Sequence, residues 1–122
     1  MIAEARNALE ALLSATGLHV YDIVPERAVL PCAVLEPSGA SWVASGEAYG
    51  EYRVGFDVTV AVQTATNKAM TDNLDTFVEE LLIAVHDAPG FYLSEIPAPG
   101  GIDFNGVVYL GTTFTVYQNA RL

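Results

Sequence analysis

Basic residues are nearly missing from this chain. Only Arg6, Arg27, Arg53, Lys68 and Arg121 stand against fifteen Asp and Glu, for a net charge of −10. They are scattered singly, whereas a phosphate-binding surface needs clustered Lys and Arg. Tight or sequence-specific nucleic-acid binding is therefore not expected, nor is attraction to an anionic membrane. A surface past which DNA slides without adhering would suit this charge. Cysteine is reduced to Cys32, which excludes an internal disulfide and gives no sign of an oxidising destination. No apolar run approaches the ~20 residues of a membrane-spanning helix. The opening MIAEARNALE meets Glu4 and lacks a basic stretch followed by an apolar block, so no secretory leader is expected and an intracellular, soluble protein is.

The residues that carry chemistry are also few. His19 and His86 are the only histidines, and neither has a second ligand at metal spacing. His86 falls in the last turn of a helical stretch, where partial positive charge complements the helix dipole. Cys32 sits in an apolar run without a neighbouring base to lower its pKa; paired with His19 or His86 it is the one conceivable nucleophile. Asp72, Asp75, Glu79 and Glu80 lack the loop spacing of a calcium site. The glycines form neither a dinucleotide nor a P-loop fingerprint. No cofactor, no metal and no enzymatic activity are expected.

What the chain does contain is apolar patterning. Apolar residues reach 52 % and charged residues only 16 %, below the roughly 25 % of an average chain. At 122 residues this is one domain, with so little charge that part of its apolar surface is expected to face another subunit. The organising stretch runs from Tyr52 to Ala88. Tyr52, Val54, Phe56, Val58, Val60 and Val62 alternate with Arg53, Gly55, Asp57, Thr59, Ala61 and Gln63, the pattern of a strand with one buried face. After a polar break at residues 65–67, Met70, Leu74, Phe77, Val78, Leu81, Leu82 and Val85 recur at helical steps, and Pro89-Gly90 stops the helix near Ala88. The strand and helix are expected to pack face to face, Phe77 and Leu81 meeting Phe56, Val58 or Val60.

The remaining elements follow in order. Ile2, Ala5, Leu9, Leu12 and Leu13 predict a helix over Ile2 to Ala15, ended by Gly17. Leu18 to Val24 and Pro31 to Pro37 read as strands, the second bracketed by prolines, which suit edge or terminal positions of a strand. Ser38 to Gly50 reads as a hairpin arm or a mobile loop, and its Trp42, Val43 and Tyr49 are candidate anchors for a partner. Gly90 to Leu93 is a short strand, and Glu95 to Gly101 a loop. Asn105-Gly106 between apolar flanks marks a hairpin, leading into a strand over Val107 to Gln118. Helix, strands, helix, strands give an α+β fold: an antiparallel sheet with two helices packed on one face.

This order of parts, with Val20-Tyr21-Asp22-Ile23-Val24-Pro25, Pro31-Cys32-Ala33-Val34-Leu35, the strand at 52–63, the helix at 67–87 and the closing threonine–aromatic strand at 107–118, resembles the tail terminator proteins of long-tailed bacteriophages. These are the minor-tail-protein-U type, also called tail completion proteins. The resemblance covers nearly the whole chain and rests on pattern and order, without a catalytic motif. It implies a virion protein at the head–tail junction, assembled in the host cytoplasm. Such a protein forms a hexameric ring on the tail tube protein, halts tube growth and offers a platform to the head–tail connector protein, and DNA passes through the ring. No interface of the family maps onto this chain residue by residue. From its own pattern, Trp42, Val43, Tyr49, Arg53 and Tyr92 are the expected subunit contacts. Glu47, Glu51, Asp72, Asp75 and Glu79 are the expected lumen-facing carboxylates, holding DNA off by repulsion. The competing readings are a head-completion or neck subunit and a dimeric regulatory domain that binds a small molecule by the Pro-Gly loop at 97–101.

Overall fold

A computed structural model describes residues 1–62, 68–93 and 95–122, the side chains of 68–71 excepted. Its elements are α1 (Ile2–Ala15), β1 (His19–Tyr21), β2 (Cys32–Pro37), β3 (Val43–Ser45), β4 (Glu51–Val62), α2 (Lys68–Asp87), β5 (Phe91–Leu93), β6 (Gly100–Phe104) and β7 (Val107–Arg121). They form the expected α+β architecture. One sheet runs β1-β2-β4-β7-β5, with β3 also paired to β4 and β6 to β7. The polar break at 65–67, the side chain of Met70 and the strand end at Gln63 lie outside the described residues.

The sheet is built on β4 and β7, antiparallel partners from Glu51↔Arg121 to Val62↔Leu110. Alternation gives this pair two faces. Val54, Phe56, Val58, Val60 and Val62 with Phe114 and Val116 form the core face, and Ala5, Leu9 and Leu13 of α1 and Leu74, Leu81 and Val85 of α2 pack against it. Both helices lie on this one side, because each has a single apolar stripe and the sheet offers one continuous apolar face. Two helix positions depart from the periodic reading. Leu82 is exposed, on the flank of the stripe rather than its centre. Phe77 is only partly buried; it reaches towards the turn after α1, its ring within 4.0 Å of where a Cβ on Gly17 would stand. That turn closes as expected, with Gly17 at φ +90° and Thr16 Oγ1 donating to the Leu13 carbonyl at 2.6 Å.

Three further departures concern the sheet. The expected strand over Leu18 to Val24 is cut to His19–Tyr21 and runs parallel to β2, so the sheet is not wholly antiparallel. A parallel neighbour requires a crossover, and residues 22–31 leave the sheet to make it. Second, the strand after the Pro-Gly loop already starts at Gly100, because Gly100 and Gly101 pair with Gly111 and Leu110. Asn105 and Gly106, at φ +53° and +86°, then make the tight turn that Asn-Gly predicts. Third, the second face is not simply polar. Ala61 is buried with Cys32, Val34 and Phe104 in a smaller cluster, roofed by Tyr21, Ala28, Leu30, Ile102 and Tyr109. Small and apolar residues at alternate positions of β2 and β4 let the crossover and the β6–β7 hairpin settle there.

Of the two readings for Ser38 to Gly50, a hairpin arm or a mobile loop, the arm is the one that forms, through β3. β2 and β3 pair with the same side of β4, and residues 38–42 bulge between them over the second face. The bulge is tied down at both ends, Ser38 N donating to the Gly55 carbonyl at 3.0 Å and Gly55 N to the Trp42 carbonyl at 2.7 Å. Gly55 is required beneath it: a Cβ there would overlap the Ser41 carbonyl oxygen and press on the Tyr117 ring.

Candidate functional site

Beyond the bulge, the second face opens into a trough of about 560 Å³. Its floor is Glu51 and Arg53 of β4 with Tyr117 and Asn119 of β7. One wall is Ser45, Gly46 and Glu47 of the arm, and the other is Tyr92 and Leu93 of β5. The register explains the set. Arg53 lies opposite Asn119 and Gly55 opposite Tyr117, so the Tyr117 ring leans over a glycine, and the Arg53 guanidinium stands 4.8 Å from its centroid. Such stacking holds a cation flat while leaving its edge free to donate. Across the floor, Asn119 Nδ2 donates to the Tyr92 hydroxyl at 3.0 Å. Towards the centre of the sheet the second face is closed by hydrogen bonds among its own side chains. Thr115 Oγ1 donates to Asp57 at 2.8 Å, and Thr59 and Thr113 share a bond of 2.9 Å.

The structure gathers part of the expected site and divides the rest. Arg53 and Tyr92 meet across the trough with Glu47 and Glu51, so two expected contacts and two expected lumen carboxylates share one surface. Tyr49 projects fully from the arm tip, and Trp42 and Val43 are exposed on the arm itself. Asp72, Asp75 and Glu79 are exposed on α2, in the layer that covers the opposite face. Asp75 and Glu79 border a separate groove of about 320 Å³ with Ile96, Pro97, Ala98 and Pro99. The five carboxylates therefore do not form one patch. Sequence reasoning missed Tyr117 and Asn119, whose signal was only their alternation with Val116 and Gln118 on the closing strand.

The residues of conceivable chemistry are arranged as follows. His19 is the register partner of Cys32, but Cys32 is fully buried. Burial pushes its thiol up to about 11, slightly opposed by a hydrogen bond with the Ala61 backbone. About one thiol in a thousand is then ionised at pH 8, where a catalytic cysteine needs its thiolate. Native protein at pH 8 should therefore leave Cys32 unmodified by a thiol reagent for many hours, and denatured protein should react within minutes. Fast labelling of the native chain would contradict the burial. His86 is exposed and lies 3.4 Å from Asp87. Among the described residues no group of three His, Cys, Asp or Glu is placed to hold a metal ion, and no helix is long and apolar enough to cross a membrane.

No protein-family model matches this chain, and no curated protein matches it.

Proposed function

We propose that the protein is a structural subunit of a phage virion that caps the tail tube as a homo-hexameric ring, stops tube growth and joins the tail to the head connector. The observation that carries this reading is the arm end of the sheet. There a hairpin holds Tyr49 completely in solvent, at 104 % relative exposure, beside exposed Trp42, Val43 and Tyr92, a form suited to reaching a neighbouring subunit. The order of elements along the chain and the acidic balance support it as well. Carboxylates around a passage keep DNA moving because phosphates find no cations to pair with. Glu47 and Glu51 at the trough, or Asp72, Asp75 and Glu79 on the helix layer, would serve, one set or the other facing the lumen.

The test is assembly without the protein. A phage lacking the gene should produce tails of uncontrolled length that fail to join heads, and purified protein added to such an extract should restore joining. Tails of normal length already joined to heads in its absence would overturn the proposal. The small-molecule reading draws on one observation, the groove of about 320 Å³ beside Ile96 to Pro99, which is at the lower end of the range for ligand sites; a ligand-bound dimer in solution in place of a ring would favour it.

A further inference from the structure

The trough on the second face carries charge of both signs and draws the two apart. Glu51 and Arg53 lie two positions apart on β4 and so share this face. Tyr117, on whose ring the Arg53 guanidinium stacks at 4.8 Å, stands opposite Gly55 rather than opposite Arg53. The stacking therefore pulls the cation towards the bulge, away from Glu51. The ring can lie there because position 55 has no side chain: its Cε1 and Cδ1 are 3.0 and 3.1 Å from where a Cβ on Gly55 would stand. Glu47, on the arm, lines the same trough.

These charges are left without partners. Among the described residues the only ion pair is His86 with Asp87, so neither Arg53 nor Glu47 nor Glu51 is paired within the chain. Arg121 is the register partner of Glu51, but it lies outside the lining of the trough and makes no ion pair with it. The Tyr92 hydroxyl accepts from Asn119 Nδ2 at 3.0 Å, which leaves its own proton to donate and the Asn119 side-chain oxygen to accept. The volume of about 560 Å³ falls within the range usual for small-molecule sites.

We propose that the trough binds a small dipolar molecule of amino-acid size, its carboxylate on the edge of Arg53 and its ammonium groups at Glu47 and Glu51. An ion of one sign fits less well. A simple anion meets Arg53 together with two carboxylates, and a simple cation meets the carboxylates together with a guanidinium. A molecule that carries both signs can bring each charge to its opposite. The planar guanidinium offers a carboxylate two parallel N–H groups, and stacking on Tyr117 has already fixed its plane, so little freedom is lost on binding. Tyr92 and Asn119 add one donor and one acceptor. The inference goes beyond the capping reading and does not depend on it, because the whole site lies within one chain.

Equilibrium dialysis of the full-length chain against radiolabelled L-lysine tests it, lysine having one carboxylate and two ammonium groups. One site per chain should fill with a dissociation constant of about 1 mM or tighter. Diacetyl-lysine, which keeps only the carboxylate, and cadaverine, which keeps only the ammonium groups, should compete at least tenfold less well. Arg53→Gln and Glu51→Gln should each weaken binding at least tenfold while unfolding in urea near the wild-type midpoint, since surface charges contribute little to stability. Asp75→Asn, on the helix layer, should leave binding unchanged. Cadaverine competing as well as lysine would mean that an acidic surface merely gathers cations, and would overturn the proposal. So would full binding by Arg53→Gln, or no saturation up to tens of millimolar lysine. These readouts are separate from tube capping: a protein that caps tails without binding lysine would remove this site and keep the capping reading, and a lysine-binding protein that leaves tails unaffected would do the reverse.

Discussion

Replacing Phe56 by Ala should cost about 3–5 kcal/mol, the range for deleting a buried aromatic ring. Phe56 is 1 % exposed and is the largest fully buried side chain among the described residues. It occupies the centre of β4, opposite Pro37 on one side and Val116 on the other. The Arg6 guanidinium of α1 stands 5.8 Å from its ring centroid. Its loss would open a void where α1 meets both central strands, and no neighbouring strand can close in without breaking the ladder. Phe77→Ala should cost less, because that ring is partly buried. Urea titration measures both: the midpoint should fall at nearly constant slope. A loss under about 1 kcal/mol for Phe56→Ala would remove it from the core.

The second large effect is expected at Gly111. A Cβ there would overlap the Val60 carbonyl oxygen and stand 3.0 Å from Ile102 Cγ1 and 3.1 Å from the Ala61 Cα. The obstacle is mostly backbone of the central strand, which cannot rotate away as a side chain would. Gly111→Ala should therefore reach or exceed the upper part of the roughly 1–3 kcal/mol usual for overpacking. Gly39→Ala is the control, with nothing within 4 Å of the added carbon; it should be neutral or slightly stabilising, since alanine restricts the unfolded chain. Equal stability of the two variants in the same urea titration would mean that β4 and β7 are less closely joined at Gly111 than described.

The parts of this fold that could be read from the sequence are those set by local periodicity. The alternation from Tyr52 to Val62, the stripe of Ile2, Ala5, Leu9 and Leu13, and the Asn105-Gly106 turn each depend on residues a few positions apart. What escaped depends on distant partners. Ala61 reads as a solvent-side residue until Phe104 and the crossover loop are laid over it. The direction of β1 cannot be read from three residues, because parallel and antiparallel strands share the same alternation. Leu82 fits the helical spacing, yet the core takes Leu74, Leu81 and Val85 and leaves it exposed. The trough was half legible. Arg53 and Tyr92 are among the expected contacts, but the trough's walls come from residues 45–47 and 92–93, and only the β4–β7 register puts Tyr117 and Asn119 between them. The carboxylates looked like one set because nothing in a linear chain separates a hairpin from a helix on the opposite layer.

The β4–β7 ladder also sets an order of events during synthesis. β4 is made in the middle of the chain, and its long-range partner only at the end, since Glu51 waits for Arg121 and Val62 for Leu110. Until then Val54, Phe56, Val58 and Val60 can be covered by the helices, but one edge of the strand remains open along its whole length. Unpaired edges of this kind invite the same edge from another nascent chain. Pairings so distant in sequence also form slowly. A ribosome stalled before residue 107 would therefore hold a helix-covered half-sheet with a free apolar strand edge, a substrate for chaperones and the point at which overproduction of this chain would first turn to aggregate.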